Sequence, residues 1–293
     1  MKKIWVLLGL AAIMLPTLSG CQLKVLDPKG PVAETQAGVI KLSMIVMAFI
    51  VLTVVGLYLF MLYKYRASKV GADYKPPHIE GSRVLETIWI TIPILIVIFL
   101  SIVTVKSTSE VEATPKGYED QDPLIIYAAS SNWKWHFSYP EQNIETVNYV
   151  NIPTNRPIEF KLYSYGPITS FWIPQLGGQK YAMSDMVNTL HLLADTPGSY
   201  LGRNSNFNGA GFAEMEFETQ AMSQKDFDKW VKDVHHTAEK LTEPTFNELL
   251  KDGHLGRKTY TGTHLTFRPA PEMHHMKKMD GHQKATEGQH HHE

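Results

Sequence analysis

LSMIVMAFIVLTVVGLYLFML, residues 42–62, carries no charged side chain. At a rise of about 1.5 Å per residue, a helix of about 21 residues reaches roughly 31 Å, the thickness of a bilayer's hydrocarbon core. Residues 84–105 (VLETIWITIPILIVIFLSIVTV) form a second apolar run, interrupted by Glu86 near its start. Pro93 inside this run is compatible with a membrane helix, because neighbouring groups can satisfy the carbonyl it frees. Between the runs lie Lys64, Arg66, Lys69, Lys75 and Arg83. Short basic loops stay on the cytoplasmic side. The two runs therefore predict a helical hairpin over 42–106, with its loop inside and both chain ends outside. A lone hairpin buries little surface, which implies a larger membrane partner. Glu86 at the inner helix end reads either as an interfacial carboxylate or as a functional group.

The N-terminal segment agrees with this topology. Met1 to Cys21 reads MKKIWVLLGLAAIMLPTLSGC: a basic start, a short apolar stretch, then a small-residue cleavage motif. This is the pattern of a signal peptide over 1–20. Leu18-Ser19-Gly20-Cys21 resembles a lipobox, which implies lipid attachment at Cys21 and an outer segment over 21–41. Cys21 is the only cysteine in the 293 residues, which excludes an internal disulfide and any thiolate metal site elsewhere in the chain. The net charge of −1 gives no sign of a nucleic-acid partner.

Residues 107–121 are polar, contain Pro115 and Gly117, and read as a linker. Beyond them the pattern changes to short strands. These are expected at Pro123–Ala129, Trp133–Tyr139, Thr146–Asn151, Pro157–Tyr163, Ser170–Pro174, Asn188–Ala194 and Phe212–Thr219. Many short strands at close spacing predict an all-β sandwich or barrel of Greek-key type over 122–220. From Ser223 the spacing of Phe227, Trp230, Val231 and Val234 becomes helical, and Thr245–Leu250 reads as a second short helix. Together they make a helical extension over 221–268. Residues 269–293 are polar and rich in histidine and methionine. The histidines are His274, His275, His282, His290, His291 and His292; the methionines are Met273, Met276 and Met279. Such a composition reads as disordered, and is of a kind that can bind copper or zinc loosely. His136 and His191 stand alone and read as structural or exposed.

Several stretches, taken in order, resemble the subunit II family of haem-copper oxidases. Leu85-Glu86-Thr87-Ile88-Trp89-x-Thr91-Ile92-Pro93 resembles the family's second membrane helix. Trp133-Lys134-Trp135-x-Phe137-x-Tyr139-Pro140 resembles its aromatic strand. Residues 170–180, SFWIPQLGGQK, resemble its most recognisable stretch, and Pro197-Gly198-x-Tyr200-x-Gly202 the turn leading into its copper loop. The resemblance covers roughly residues 22–220. It implies a cupredoxin-like outer domain after a two-helix transmembrane hairpin. In the cytochrome c oxidase branch that domain holds a dinuclear copper centre, whose two bridging thiolates make a soft, delocalised site.

At the positions this resemblance assigns to copper ligands, the chain has other residues. The first histidine position is Thr169. The two cysteine positions are Asn204 and Asn208, the glutamate position is Asn206, and the second histidine position is Phe212. Only Met215 remains. The resemblance therefore implies a quinol oxidase subunit with no metal of its own; Phe212 is expected to fill the vacated space, and the magnesium-binding carboxylate is absent at Asn206. Haems and one copper are implied in subunit I, with menaquinol or ubiquinol as substrate of the complex. Implied partners are subunit I, smaller membrane subunits and membrane lipid, without cytochrome c. Glu86 matches a position at the cytoplasmic mouth of the family's proton path. Trp133, Trp135, Phe171 and Trp172 are expected to serve core and subunit-interface packing. A competing reading is a copper-binding membrane lipoprotein that uses the His/Met tail; it leaves the hairpin, the Ser170–Pro174 stretch and the kept loop spacing unexplained.

Overall fold

The computed structural model describes residues 23–66 and 81–271. The signal segment with Cys21, the Lys69 and Lys75 part of the basic loop, and the His/Met-rich tail lie outside them. Two long helices come first, α1 (Pro31–Lys64) and α2 (Arg83–Glu112). Both are long and apolar enough to cross a membrane, and their apolar stretches have no burial within the chain. They are the membrane-spanning helices of the protein.

Each helix exceeds its apolar run at the end nearer the strands that follow. A 34-residue α1 is about 51 Å long at 1.5 Å per residue, well beyond a core of about 30 Å. The surplus is its first turns, where Pro31 stands at the first helical position, and there Val32, Ala33 and Ala37 are buried. The residues before Lys41 therefore form the docked end of a continuous helix. Similarly, α2 continues through Lys106 to Glu112, so helix occupies the first part of the polar segment expected to be linker. Pro93 lies within α2 and does not end it.

Among the described residues, eleven strands follow. They are β1 (Leu124–Ser131), β2 (Lys134–Tyr139), β3 (Ile144–Val147), β4 (Tyr149–Pro153), β5 (Ile158–Ser164), β6 (Thr169–Trp172), β7 (Lys180–Ala182), β8 (Asn188–Leu192), β9 (Gly198–Asn204), β10 (Glu216–Met222) and β11 (Lys258–Thr261). One sheet has the order β11-β3-β2-β1-β5-β8 and the other β4-β10-β9-β6-β7. Most neighbours are antiparallel, while β1 with β5 and β4 with β10 are parallel. This is the curled, cupredoxin-like sandwich.

The expected single strand at 146–151 is two. Asn148 takes φ +57, a left-handed conformation that asparagine tolerates better than most residues. The chain there leaves one sheet and joins the other. Its side chain holds the corner: Trp135 N–H donates to Asn148 Oδ1 (2.9 Å), and Asn148 Nδ2 donates to Leu255 O (2.6 Å). The stretch from Gly198 is also not a turn but β9, antiparallel to β10.

The inner faces meet in a cluster of rings. Phe171 lies 5.2 Å from Trp135, 4.9 Å from Phe160 and 5.0 Å from Phe217, centroid to centroid. Such pairs add about 0.5–1.5 kcal/mol each beyond the area they bury. Gly202 makes the arrangement possible, because a Cβ there would come within 2.1 Å of the Phe217 ring.

Past β10 the chain forms α3 (Gln224–Thr237) and α4 (Glu243–Leu249). Ser223 caps α3 by accepting from Asp226 N–H, and Phe227 and Val234 face inward. Strand β11 then covers the outer edge of β3. The extension closes over a buried polar cluster on the outer face of the first sheet. His264 Nδ1 lies 2.7 Å from Glu145 Oε1, and Ser138 Oγ donates to Glu145 Oε2 (2.5 Å). His264 Nε2 meets the Tyr163 hydroxyl at 2.5 Å, and the Phe246 ring stacks on His264 at 4.5 Å. Nearby, Lys134 Nζ donates to the carbonyls of Lys251 and Gly253.

His136 belongs to the same face. It is fully buried, with Nε2 2.8 Å from Ser131 Oγ. Of the two readings left open for it, structural or exposed, it is structural; His191 is half-buried on β8. Desolvation, reinforced by His264 and Lys134, holds the His136 pKa well below 6.5. The folded chain keeps this ring neutral, whereas an unfolded chain takes up a proton as pH falls below about 6.5. The contribution is fully present above that pH and declines below it. Thermal unfolding of the purified chain should show stability falling by up to about 1.4 kcal/mol per pH unit between pH 6.5 and 5 from this one group. His136→Gln should flatten the slope; an unchanged slope would show that the ring is protonated in the folded protein.

Candidate functional site

The residues expected at the old ligand positions converge on one corner of the second sheet. There β6 runs antiparallel to β9, with Phe171 opposite Asn204 and Trp172 opposite Arg203. Thr169 and Asn204 are buried at the adjoining ends of these strands, and Met215 is buried just before β10. Asn204 ties the corner together. Its Oδ1 accepts from Ser170 N–H (2.9 Å) and Asn206 N–H (3.0 Å), and its Nδ2 donates to Asn206 O (2.8 Å). Asn206 Nδ2 donates to Ile168 O (3.0 Å), Asn208 Nδ2 to the Met215 sulfur (3.4 Å), and Thr169 Oγ1 lies 2.7 Å from Ser130 Oγ.

This donor set does not suit a dinuclear copper centre. There is no thiolate at either bridging position and no imidazole at either histidine position. The Asn204 amide is also committed to the backbone on both its oxygen and its nitrogen. Among the described residues, no group of three or more His, Cys, Asp or Glu side chains is placed to hold a metal.

The expectation for Phe212 needs correction. It is only partly buried, opens a 3-10 turn (Phe212–Glu214), and leans on Phe207, which is 77% exposed, at 5.6 Å. The ring packed against the loop is instead the indole of Trp133. Gly211 permits this contact, since a Cβ there would lie 2.4 Å from the indole. Trp133 itself takes φ +63. The buried Nε1 of Trp133 and the buried Oδ1 of Asn208 have no hydrogen-bond partner among the described residues.

The other aromatic positions divide. Trp135 and Phe171 are fully buried and serve the chain's own core, so no surface of theirs is left for a subunit interface. Trp133 and Trp172 keep some exposed surface. Glu86 lies in the first turn of α2, at the end of the hairpin remote from the sandwich and three residues past Arg83. The structure thus brings together the loop positions and Trp133, and leaves Glu86 far from them. Sequence reasoning missed the cluster of Glu145, His264 and Tyr163. Its members are up to 119 residues apart, and no local motif links them.

The chain resembles known proteins over most of its length. The family described as cytochrome c oxidase subunit II, transmembrane domain, matches residues 19–106. Quinol oxidase subunit 2 of Bacillus cereus is 49% identical over 269 residues, covering 91% of this chain and 92% of that protein. Quinol oxidase subunit 2 of Bacillus subtilis strain 168 is also 49% identical, covering 85% of this chain and 78% of the relative. Among solved structures, the periplasmic domain of subunit II of the Bradyrhizobium japonicum cytochrome oxidase is 23% identical, with a TM-score of 0.37, covering 38% of this chain and 91% of that one. The membrane hairpin, the sandwich and these relatives define a subunit II of the haem-copper oxidase type. Within that class, this chain belongs to the bacterial quinol oxidase subunit 2 family.

Asn204→Ala should destabilise the chain by about 2–4 kcal/mol, because it strands two backbone donors. Asn204→Asp keeps the acceptor but sets a second oxygen against the Asn206 carbonyl in a buried site, so it should not restore the lost stability. Denaturant unfolding of the full chain in detergent would read both, and an Ala variant as stable as the parent would show that the loop does not depend on this side chain.

Proposed function

We propose that this chain is the second subunit of a terminal oxidase complex that oxidises a membrane quinol, reduces oxygen to water and moves protons outward. Menaquinol and ubiquinol both fit this reading. One observation carries it: the copper loop keeps its spacing while Asn204 and Asn208 stand where two thiolates are required. A soluble one-electron donor such as cytochrome c needs a metal port on the outer face. A quinol is apolar, stays in the bilayer and needs none. The chain then serves assembly, electron delivery to subunit I and proton uptake, and has no catalytic role alone. The haems and one copper reside in subunit I, with smaller membrane subunits completing the complex.

Lys64, Arg66 and Arg83 cluster at one end of the hairpin, which supports placing that end in the cytoplasm and the sandwich outside. On that topology Glu86 faces the cytoplasm at the mouth of a proton path. Cys21 carries the lipid of a membrane lipoprotein.

Purification in mild detergent tests the reading directly. Haem should co-purify, and the sample should consume oxygen with a quinol but not with reduced cytochrome c. A haem-free preparation, or one that oxidises cytochrome c, refutes it. Glu86→Gln should slow oxygen consumption and proton uptake several-fold at unchanged haem content; full turnover in this variant would remove Glu86 from the proton path.

A further inference from the structure

A cleft of about 500 Å³ opens between the outer ends of α1 and α2 and the segment joining β6 to β7. Val25, Val39, Ile40, Val111 and Trp172 give it an apolar wall, and Gln36 and Thr108 add polar groups. Its depth is set by the helices. Val39 and Ile40 precede the apolar run of α1, and Thr104, also in the wall, belongs to the last turn of the apolar run of α2. The cleft therefore straddles the outer boundary of the hydrocarbon core, where the glycerol and ester groups of a lipid meet its acyl chains.

The N-terminal segment leads to this cleft and is held there. Gln175 Nε2 donates to Asp27 Oδ2 (3.1 Å), Lys29 N–H donates to Gln175 O (2.8 Å), and Asp195 N–H donates to Lys29 O (3.1 Å). Gly30 lies so close to the Leu193 carbonyl that a Cβ would come within 1.9 Å of it. These contacts fix residues 27–30 on the sandwich and place Val25 in the cleft wall. Cys21 is four residues before Val25 in the sequence, and an extended chain spans at most about 3.6 Å per residue, so the backbone tether between them is no longer than about 14 Å.

We infer that the cleft seats the lipid carried by Cys21 of this same chain, with acyl groups against Val25, Val39, Ile40, Val111 and Trp172 and the ester region near Gln36 and Thr108. The inference rests on the lipoprotein reading above. A tethered lipid is favoured over a free one because its glyceryl end is already confined beside the site, which makes the seating an intramolecular event. The mixed wall also suits it: a partner helix would need only the apolar part, whereas a lipid at this depth presents ester oxygens to an amide and a hydroxyl.

The test uses the whole complex from cells grown with a diazirine-bearing fatty acid. After irradiation and digestion, mass spectrometry reads which peptides the label joins. The expected product joins the Cys21 peptide to a peptide containing residues 36–40, 104–111 or 172–179. It should be largely lost in Thr108→Trp and in Val39→Trp, each of which fills the cleft, at unchanged haem content. An unmodified Cys21 peptide overturns the lipoprotein reading and the seat together. A lipidated Cys21 whose label reaches only other subunits or bulk phospholipid overturns the seat alone, as does a cleft carrying free phospholipid with no link to the N-terminal peptide. If both variants fail to assemble, the product from the unaltered complex decides.

Discussion

The ring of Phe171, set among Trp135, Phe160 and Phe217, is the contact on which the sandwich depends. It joins the two sheets and fixes β6 against β9. The residues on either side of it then have no freedom. Ser170 N–H must meet Asn204 across the ladder, and Trp172 must turn toward the helices. Because Gly202 has no side chain, Phe217 can stack on Phe171, and the loop that follows inherits its position from that stack. The loop is therefore a product of the core, with its shape set independently of any metal ligand.

Much of this was legible in the sequence. The two apolar runs announced the hairpin, and alternation in Trp133–Tyr139 announced a strand. Errors fall where local pattern and tertiary context diverge. Helix α1 begins at Pro31 because Val32, Ala33 and Ala37 find a partner in the sandwich, which hydropathy of the chain alone does not reveal. The short strands β7 and β11 carry little alternation; they exist because β6 and β3 offer them an edge. Strand β3 parts from β4 at a single residue, Asn148, whose left-handed backbone carries no signal in hydrophobic periodicity.

The candidate site was legible as a set of positions and less so as a set of contacts. Aligning residues to loop spacing located Thr169, Asn204, Asn206, Asn208 and Met215 in one corner. It did not reveal that Asn204 bonds to the backbone through both its oxygen and its nitrogen, nor that Trp133 supplies the ring beside Gly211 while Phe212 is only partly buried. The cluster of Glu145, His264 and Tyr163 lay beyond reach, since its residues sit on three segments that only the closed extension brings together.

The unbroken course of α1 from the bilayer into the sandwich has a mechanical consequence. A helix of this length is stiff, its first turns are packed against the sandwich, and α2 meets β7 in an ion pair between Glu112 and Lys180 (2.6 Å). The hairpin is thus a pair of struts, and the sandwich is their rigid head. Membrane helices answer a change in bilayer thickness by tilting. Here a tilt within the lipid would swing the whole head over the surface as a lever does, so the thickness of the membrane sets the attitude of the domain above it.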